Sequence, residues 1–243
     1  YMLYIAFTLL NCRKNRLLLQ TVLIGGSLLF LLSTIRSSSF ADEVNGVNAT
    51  NSWTLRAPLP DTLADAQTVA ISHTLFTVGG KTPNAASNQV ASAELTADGF
   101  FTLFITLTST LPISPFVHAC VAVNQSIFVL GGYDGNRRFS TVYGATVDGN
   151  SVINSWQAIN DLPLKLVLHS ATALDTCIFV LGGVNENNVG LSSVFRTTVN
   201  GNGLTNWIQD RSLPEVRFRA AAASYAASTV SSKGYLYLSG GFD

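Results

Sequence analysis

Short apolar runs alternate with polar turns along most of this chain, and the runs recur at a fixed interval. Leu75-Phe76-Thr77-Val78, Ile127 to Leu130, Ile178 to Leu181 and Leu236 to Ser239 each lead into a glycine pair. The pairs are Gly79-Gly80, Gly131-Gly132, Gly182-Gly183 and Gly240-Gly241, at spacings of 52, 51 and 58 residues. Leu-Pro steps at Leu59-Pro60, Leu111-Pro112, Leu162-Pro163 and Leu213-Pro214 keep the same beat, at 52, 51 and 51. So do the aromatics Trp53, Phe104, Trp156 and Trp207, at 51, 52 and 51. Three markers locked to one period near fifty residues define a repeat array.

The second repeat reads most plainly. Phe116 to Val123 and Ile127 to Leu130 are continuous apolar runs of the kind found in strands packed on both faces. The polar stretch Tyr133 to Arg138 follows the glycines, Thr141 to Val147 alternates, and Asp148-Gly149 marks a turn. Ile153 to Ile159, carrying Trp156, completes four strands. One small sheet cannot bury both faces by itself, so the units must stack on copies of themselves, and radial stacking gives a β-propeller. The pattern predicts an all-β fold of about three complete four-stranded blades plus partial blades, an open arc, over residues 51–243. The fourth unit stops after its glycines and holds seven extra residues, expected in the hairpin from Ala226 to Lys233. The glycine pairs are expected at φ > 0 turns with close backbone approach, and the in-phase aromatics between blades.

The first forty residues follow another pattern. Arg13, Lys14 and Arg16 precede an uncharged stretch from Leu17 to Ile35, with Ser39 and Ala41 beyond it. This predicts an N-terminal hydrophobic helix, residues 1–41, acting as a secretory signal cleaved after Ala41 or as an uncleaved anchor. Both place the repeats outside the cytoplasm, with any membrane contact confined to that segment. Residues 42–50 form a linker that holds the sequon Asn48-Ala49-Thr50.

Charged residues are only 12% of the chain, and the net charge is zero. Without Arg13, Lys14, Arg16 and Arg36, the 14 basic residues fall to 10 against 14 acidic ones, which argues against nucleic acid as a partner. Cys120 and Cys177 lie in apolar runs and read as small buried residues. His118 and His169 share one repeat phase, which points to a structural role ahead of a metal site. No cofactor is expected.

These units resemble kelch repeats: Gly131-Gly132-Tyr133-Asp134-Gly135, Val142-Tyr143 and Trp156 stand where that family carries them. The resemblance covers residues 51–243 and implies a propeller that displays loops on one face. Kelch units often have an arginine three residues before the first-strand histidine, as a ligand contact. Here Pro115 and Leu166 take that place, so a ring of arginines is not expected. Binding is expected in the blade-connecting loops, at Asp134, Asn136, Arg137, Arg138, Asn185, Glu186, Asn187, Arg217 and Arg219. The function implied is an exported binding or adhesion module for a protein or a glycan, not an enzyme. The alternatives are a carbohydrate-active enzyme, like the sialic acid mutarotases and oxidases built on kelch propellers, and a structural array whose activity lies elsewhere in the protein.

Overall fold

The computed structural model describes residues 58–97, 100–226 and 234–243. The N-terminal segment, the linker with its sequon, Cys12 and Trp53 lie outside the described residues. Within them the chain is all-β. The first sheet contains β1 (Gln67–Ile71), β2 (Thr74–Val78), β3 (Val90–Glu94) and β4 (Ile105–Thr106), paired in that order. The second repeats it with β5 (Ala119–Val123), β6 (Ser126–Leu130), β7 (Val142–Thr146) and β8 (Gln157–Ile159). In the third, β9 (Ser170–Leu174), β10 (Cys177–Leu181) and β11 (Val194–Asn200) pair in sequence, and both β12 (Gly203–Leu204) and β13 (Ile208–Asp210) pair with β11. The fourth is the hairpin of β14 (Ala221–Ala226) and β15 (Gly234–Ser239). Residues 227–233, in the hairpin where the extra residues of the fourth repeat are expected, lie outside the described residues. All described pairings are antiparallel, and β1, β5, β9 and β14 are the neighbours from sheet to sheet.

The second sheet is buried on both faces because its strands alternate between two apolar layers. Along β6, Ile127 and Val129 join Phe76, Val78, Val90 and Trp156 in the layer between the first and second sheets. Phe128 and Leu130 point the other way, onto Ile178, Val180 and Phe195. Burying one such phenylalanine contributes about 1.5–3 kcal/mol, so a single strand ties together three sheets.

Two strands are shorter than the apolar runs. Phe116 to His118 does not join β5, because Val117 turns through a left-handed φ of 49° while Phe116 bridges Tyr133 across the sheet end. The outermost strand is interrupted: Ile153 bridges Val147, the chain leaves the ladder, and pairing resumes at Gln157. Trp156 sits in that gap and turns inward, 8% exposed. Trp207 occupies the same gap in the third sheet, packs against the core with its ring partly buried, and donates from Nε1 to the Asn160 carbonyl at 3.1 Å. Cys120 and Cys177 are unpaired and partly buried, Cys120 packed against the layer between the first and second sheets.

The glycine pairs do more than turn the chain. Both residues of each pair have positive φ, 58° and 102° at Gly131 and Gly132. The second glycine donates its N–H to the segment leading into the next sheet: Gly80 to the Pro115 carbonyl at 2.9 Å, Gly132 to Leu166 at 2.9 Å and Gly183 to Arg217 at 2.8 Å. A Cβ on Gly131 would stand 2.7 Å from the Leu166 carbonyl oxygen. Gly131→Ala should therefore destabilise the protein by at least about 2 kcal/mol, combining the left-handed φ with a backbone clash. Gly149, with nothing within 4 Å of such a Cβ, is the control, and its alanine variant should stay within about 0.5 kcal/mol of the parent. Urea unfolding compares the two, and equal midpoints would show that the junction yields freely.

Candidate functional site

The antiparallel register sorts the loops onto two sides. On one side lie the glycine pairs, the loops that follow them and the segments that join one sheet to the next. On the other lie the tight hairpins Ser72-His73, Asn124-Gln125 and Asp175-Thr176. Among the described residues, Lys81, Arg137, Arg138, Lys165, Arg211, Arg217 and Arg219 are all on the glycine-pair side. The remaining described cation, Arg196, lies within β11 and pairs with Asp210 at 2.9 Å. The hairpin side carries Asp148 and Asp175 and, among the described residues, neither lysine nor arginine.

Four of the loop residues expected from sequence, Asn136, Arg137, Arg138 and Glu186, meet in one cleft. Between the second and third sheets a cavity of about 470 Å³ is lined by Tyr133, Asn136, Arg137, Arg138, Lys165, Glu186 and Asn188. Its shape comes from the loop after Gly132. Asp134 Oδ1 accepts the backbone N–H groups of Asn136 and Arg137, both at 2.8 Å, which closes a tight Asx turn. Partial burial pushes the Asp134 carboxyl up, but these N–H groups and the Arg137 guanidinium prevail and hold it below the ordinary carboxylate range. The Arg137 guanidinium lies 5.1 Å from the centre of the Phe139 ring and 3.5 Å from Asp134 Oδ2, with most of the side chain open to solvent. Arg138 reaches across to the third sheet, donating to the Asn185 carbonyl and to Asn188 Oδ1. Lys165 and Glu186 form an ion pair of 2.7 Å with both side chains about half exposed.

Asn187 does not line the cleft; its N–H closes the neighbouring turn on Asn185 Oδ1. Arg217 and Arg219 lie apart from it. Arg217 pairs with Glu215 and sits beside Gly240 and Gly241, whereas Arg219 lines a second cavity. Tyr133 and Asn188, at the ends of loops expected to bind, also line the cleft, and sequence reading missed Lys165. Lys165 follows the Leu162-Pro163 turn, and that inter-sheet position was the available signal.

The second cavity, about 460 Å³, opens where the four innermost strands begin, among Asp65, Gln67, His118, Cys120, His169 and Arg219. Asp65, Val117, Leu168 and Arg219 all have left-handed φ, between 49° and 57°. Strain of this kind marks functional sites when it is isolated, but its recurrence in all four repeats assigns it to the scaffold. The Leu168 N–H donates to the Val117 carbonyl at 2.9 Å and the Arg219 N–H to Leu168 at 2.8 Å, so the strained residues link sheet to sheet.

His118 and His169 follow two of these residues and are 2% and 6% exposed. Their ring nitrogens are sealed from solvent without a well-aligned hydrogen bond. A Cβ on Gly79 would meet His118 Cε1 at 3.0 Å, and one on Gly131 would meet His169 Cε1 at 3.2 Å, so each imidazole is tucked beneath the preceding sheet's glycine pair. Burial, reinforced by nearby His169, lowers His118 to about 3, against a weak upward pull from the Val78 carbonyl. Burial lowers His169 to about 4, against the Leu130 carbonyl. Burial likewise pushes the Cys120 thiol up.

The kelch motif family matches residues 118–143, which run from His118 through the glycine pair to Tyr143. The mouse (Mus musculus) Kelch-like protein 35 is 26% identical over 149 residues, covering 60% of this chain and 23% of that protein. The solved structure of YjhT superposes with a TM-score of 0.59 at 15% identity, covering 74% of this chain and 63% of that one. The chain thus spans about a quarter of the mouse relative and under two thirds of YjhT. At that identity the structural likeness concerns the fold alone.

The buried imidazoles fix the sign of the pH dependence. Both bind a proton far more readily in the unfolded chain, where the ordinary value is about 6.5, than in the folded one. Stability should be complete above about pH 6.5 and fall as the pH drops towards 4 and 3. At pH 5 the loss should be on the order of 1–2 kcal/mol per histidine. Urea midpoints between pH 7.5 and 5 measure it, and the double variant His118→Gln/His169→Gln should give a flatter profile whatever its absolute stability. An unchanged slope in that variant would assign the acid sensitivity to other groups.

Proposed function

We propose that these repeats, which match the kelch motif at residues 118–143, form an exported binding module that holds a protein or glycan partner through the loops on the glycine-pair side. The observation that carries this reading is the sidedness of the cations among the described residues. Scaffold packing does not require seven of them on one side, since the sheets bury apolar layers and the same loops close with alanine elsewhere. Loops presented together on a rigid array are also where recognition residues concentrate. Export rests on the three positive charges before the uncharged stretch from Leu17 to Ile35.

A sugar-acting enzyme is the second reading, and the central cavity favours it by placing Asp65 and Arg219 at one opening. The most strongly perturbed imidazoles, however, are sealed beneath glycine pairs rather than offered to a substrate. Binding therefore ranks above turnover.

A combined glycan and protein array probed with the full chain tests the reading. Capture of a ligand should be lost in Arg138→Glu, on the loop side, and retained in Asp175→Asn, on the hairpin side. Capture that depends on Asp175 and ignores Arg138 would place recognition on the wrong side, and turnover of the captured glycan would favour the enzyme. Export is checked by fusing residues 1–60 to a reporter that is active only outside the cytoplasm; activity confined to a cytoplasmic reporter would refute it.

A further inference from the structure

The cleft between the second and third sheets has a counterpart within the same molecule. Between the first and second sheets the equivalent cavity, about 330 Å³, is lined by Ala85, Ala86 and Ser114 among others. Counting from the glycine pairs, Ala85 and Ala86 stand where Arg137 and Arg138 stand one repeat later. Counting from the Leu-Pro steps, Ser114 stands where Lys165 does. The loop hydrogen bonds are also in phase: Thr82 N–H to the Ala85 carbonyl at 2.8 Å, and Asp134 N–H to Arg137 at 3.3 Å. Lys81 bridges Ala86 as Tyr133 bridges Arg138. The scaffold therefore closes the same loop with two alanines, and places a serine where the lysine stands. Nothing in the fold demands two arginines and a lysine in the second repeat.

From this internal comparison we propose that the second cleft is a site for an acidic polysaccharide, a chain of uronic acid residues. The proposal rests on the loop-side binding reading and names its ligand class. Arg137, Arg138 and Lys165 face a single lining carboxylate, Glu186. Asp134, at the edge, spends its acceptors on the Asx turn and on Arg137. One positive charge remains in excess even when Asp134 is counted. The Lys165–Glu186 pair is half exposed and worth at most about 1 kcal/mol, so a ligand carboxylate exchanges into it easily.

The rest of the lining selects a sugar over a peptide. Asn136 and Asn188 offer amides that both donate to and accept from hydroxyl groups, and Tyr133 is the one aromatic. No aliphatic side chain lines the cleft, whereas peptide recognition is anchored by apolar or aromatic side chains in desolvated pockets. The volume falls within the range of small-ligand sites, about 300–1,000 Å³.

Calorimetric titration of the full chain with an oligogalacturonate, a neutral galactose oligomer of equal length and a polyglutamate peptide provides the test. The uronate should bind, and raising the salt from about 0.05 to 0.5 M should weaken it by about tenfold or more. The triple variant Arg137→Ala/Arg138→Ala/Lys165→Ser writes the chain's own first cleft into its second, a replacement the fold already accommodates. It should abolish binding, while Lys165→Gln alone should weaken it and Arg196→Gln, within β11 and outside the loops, should leave it unchanged. Equal binding of the neutral oligomer, or binding of polyglutamate through the same three residues, would overturn the ligand class and leave loop-side binding intact. Failure to bind the uronate would also overturn it, and the array then judges the binding module separately. If the triple variant affects neither the uronate nor any array ligand, the cleft has no binding role.

Discussion

One hydrogen bond, made three times among the described residues, sets the spacing of the whole array: the N–H of a left-handed glycine to the carbonyl of the segment that begins the next sheet. Gly80 to Pro115, Gly132 to Leu166 and Gly183 to Arg217 are superimposable in phase. Gly79, Gly131 and Gly182, the first glycines of these three pairs, must lack a Cβ because that same carbonyl lies against each. The apolar layers supply most of the stabilisation, but they are non-directional and would tolerate sliding. The glycine contact is directional and fixes where each sheet stops against its neighbour. The imidazoles of His118 and His169 then fill the space beneath it. Their neutrality follows from being sealed in.

This contact also explains a departure from the kelch pattern. The positions of the expected arginine hold Pro115, Leu166 and Arg217, three chemically unrelated residues. What the junction uses is their main-chain carbonyl, and any residue has one. The side chain at this position is free to vary, and the proposed ligand contacts lie instead in the loop after the glycines.

The repeat length, the four strands and the positive-φ glycines were legible in the sequence because each rests on a local signal repeated in register. The interrupted outer strand was not: Ile153 to Ile159 is apolar enough to read as one strand, and only the need to bring Trp156 into the core breaks it. Nor was the left-handed Val117, since nothing local favours a β-branched residue there; the junction imposes it. For the cleft, Asp134, Asn136, Arg137, Arg138 and Glu186 stood out as charged or polar loop residues. Lys165 did not, because its closeness to Glu186 depends on how two repeats stack. Arg217 and Arg219 looked equivalent to the loop residues and proved to face elsewhere, two positions apart on a segment that turns sharply at Arg219.

Asn136 and Arg137 belong to two cavities at once, since they wall the cleft between the second and third sheets and also its neighbour between the first and second. A partition with occupants on both sides cannot yield to one without being withdrawn from the other. The Arg137 side chain, resting on Phe139, is the movable part of that partition. Adjacent clefts in such an array are therefore adjoining rooms with a common door, and filling one changes the dimensions of the next.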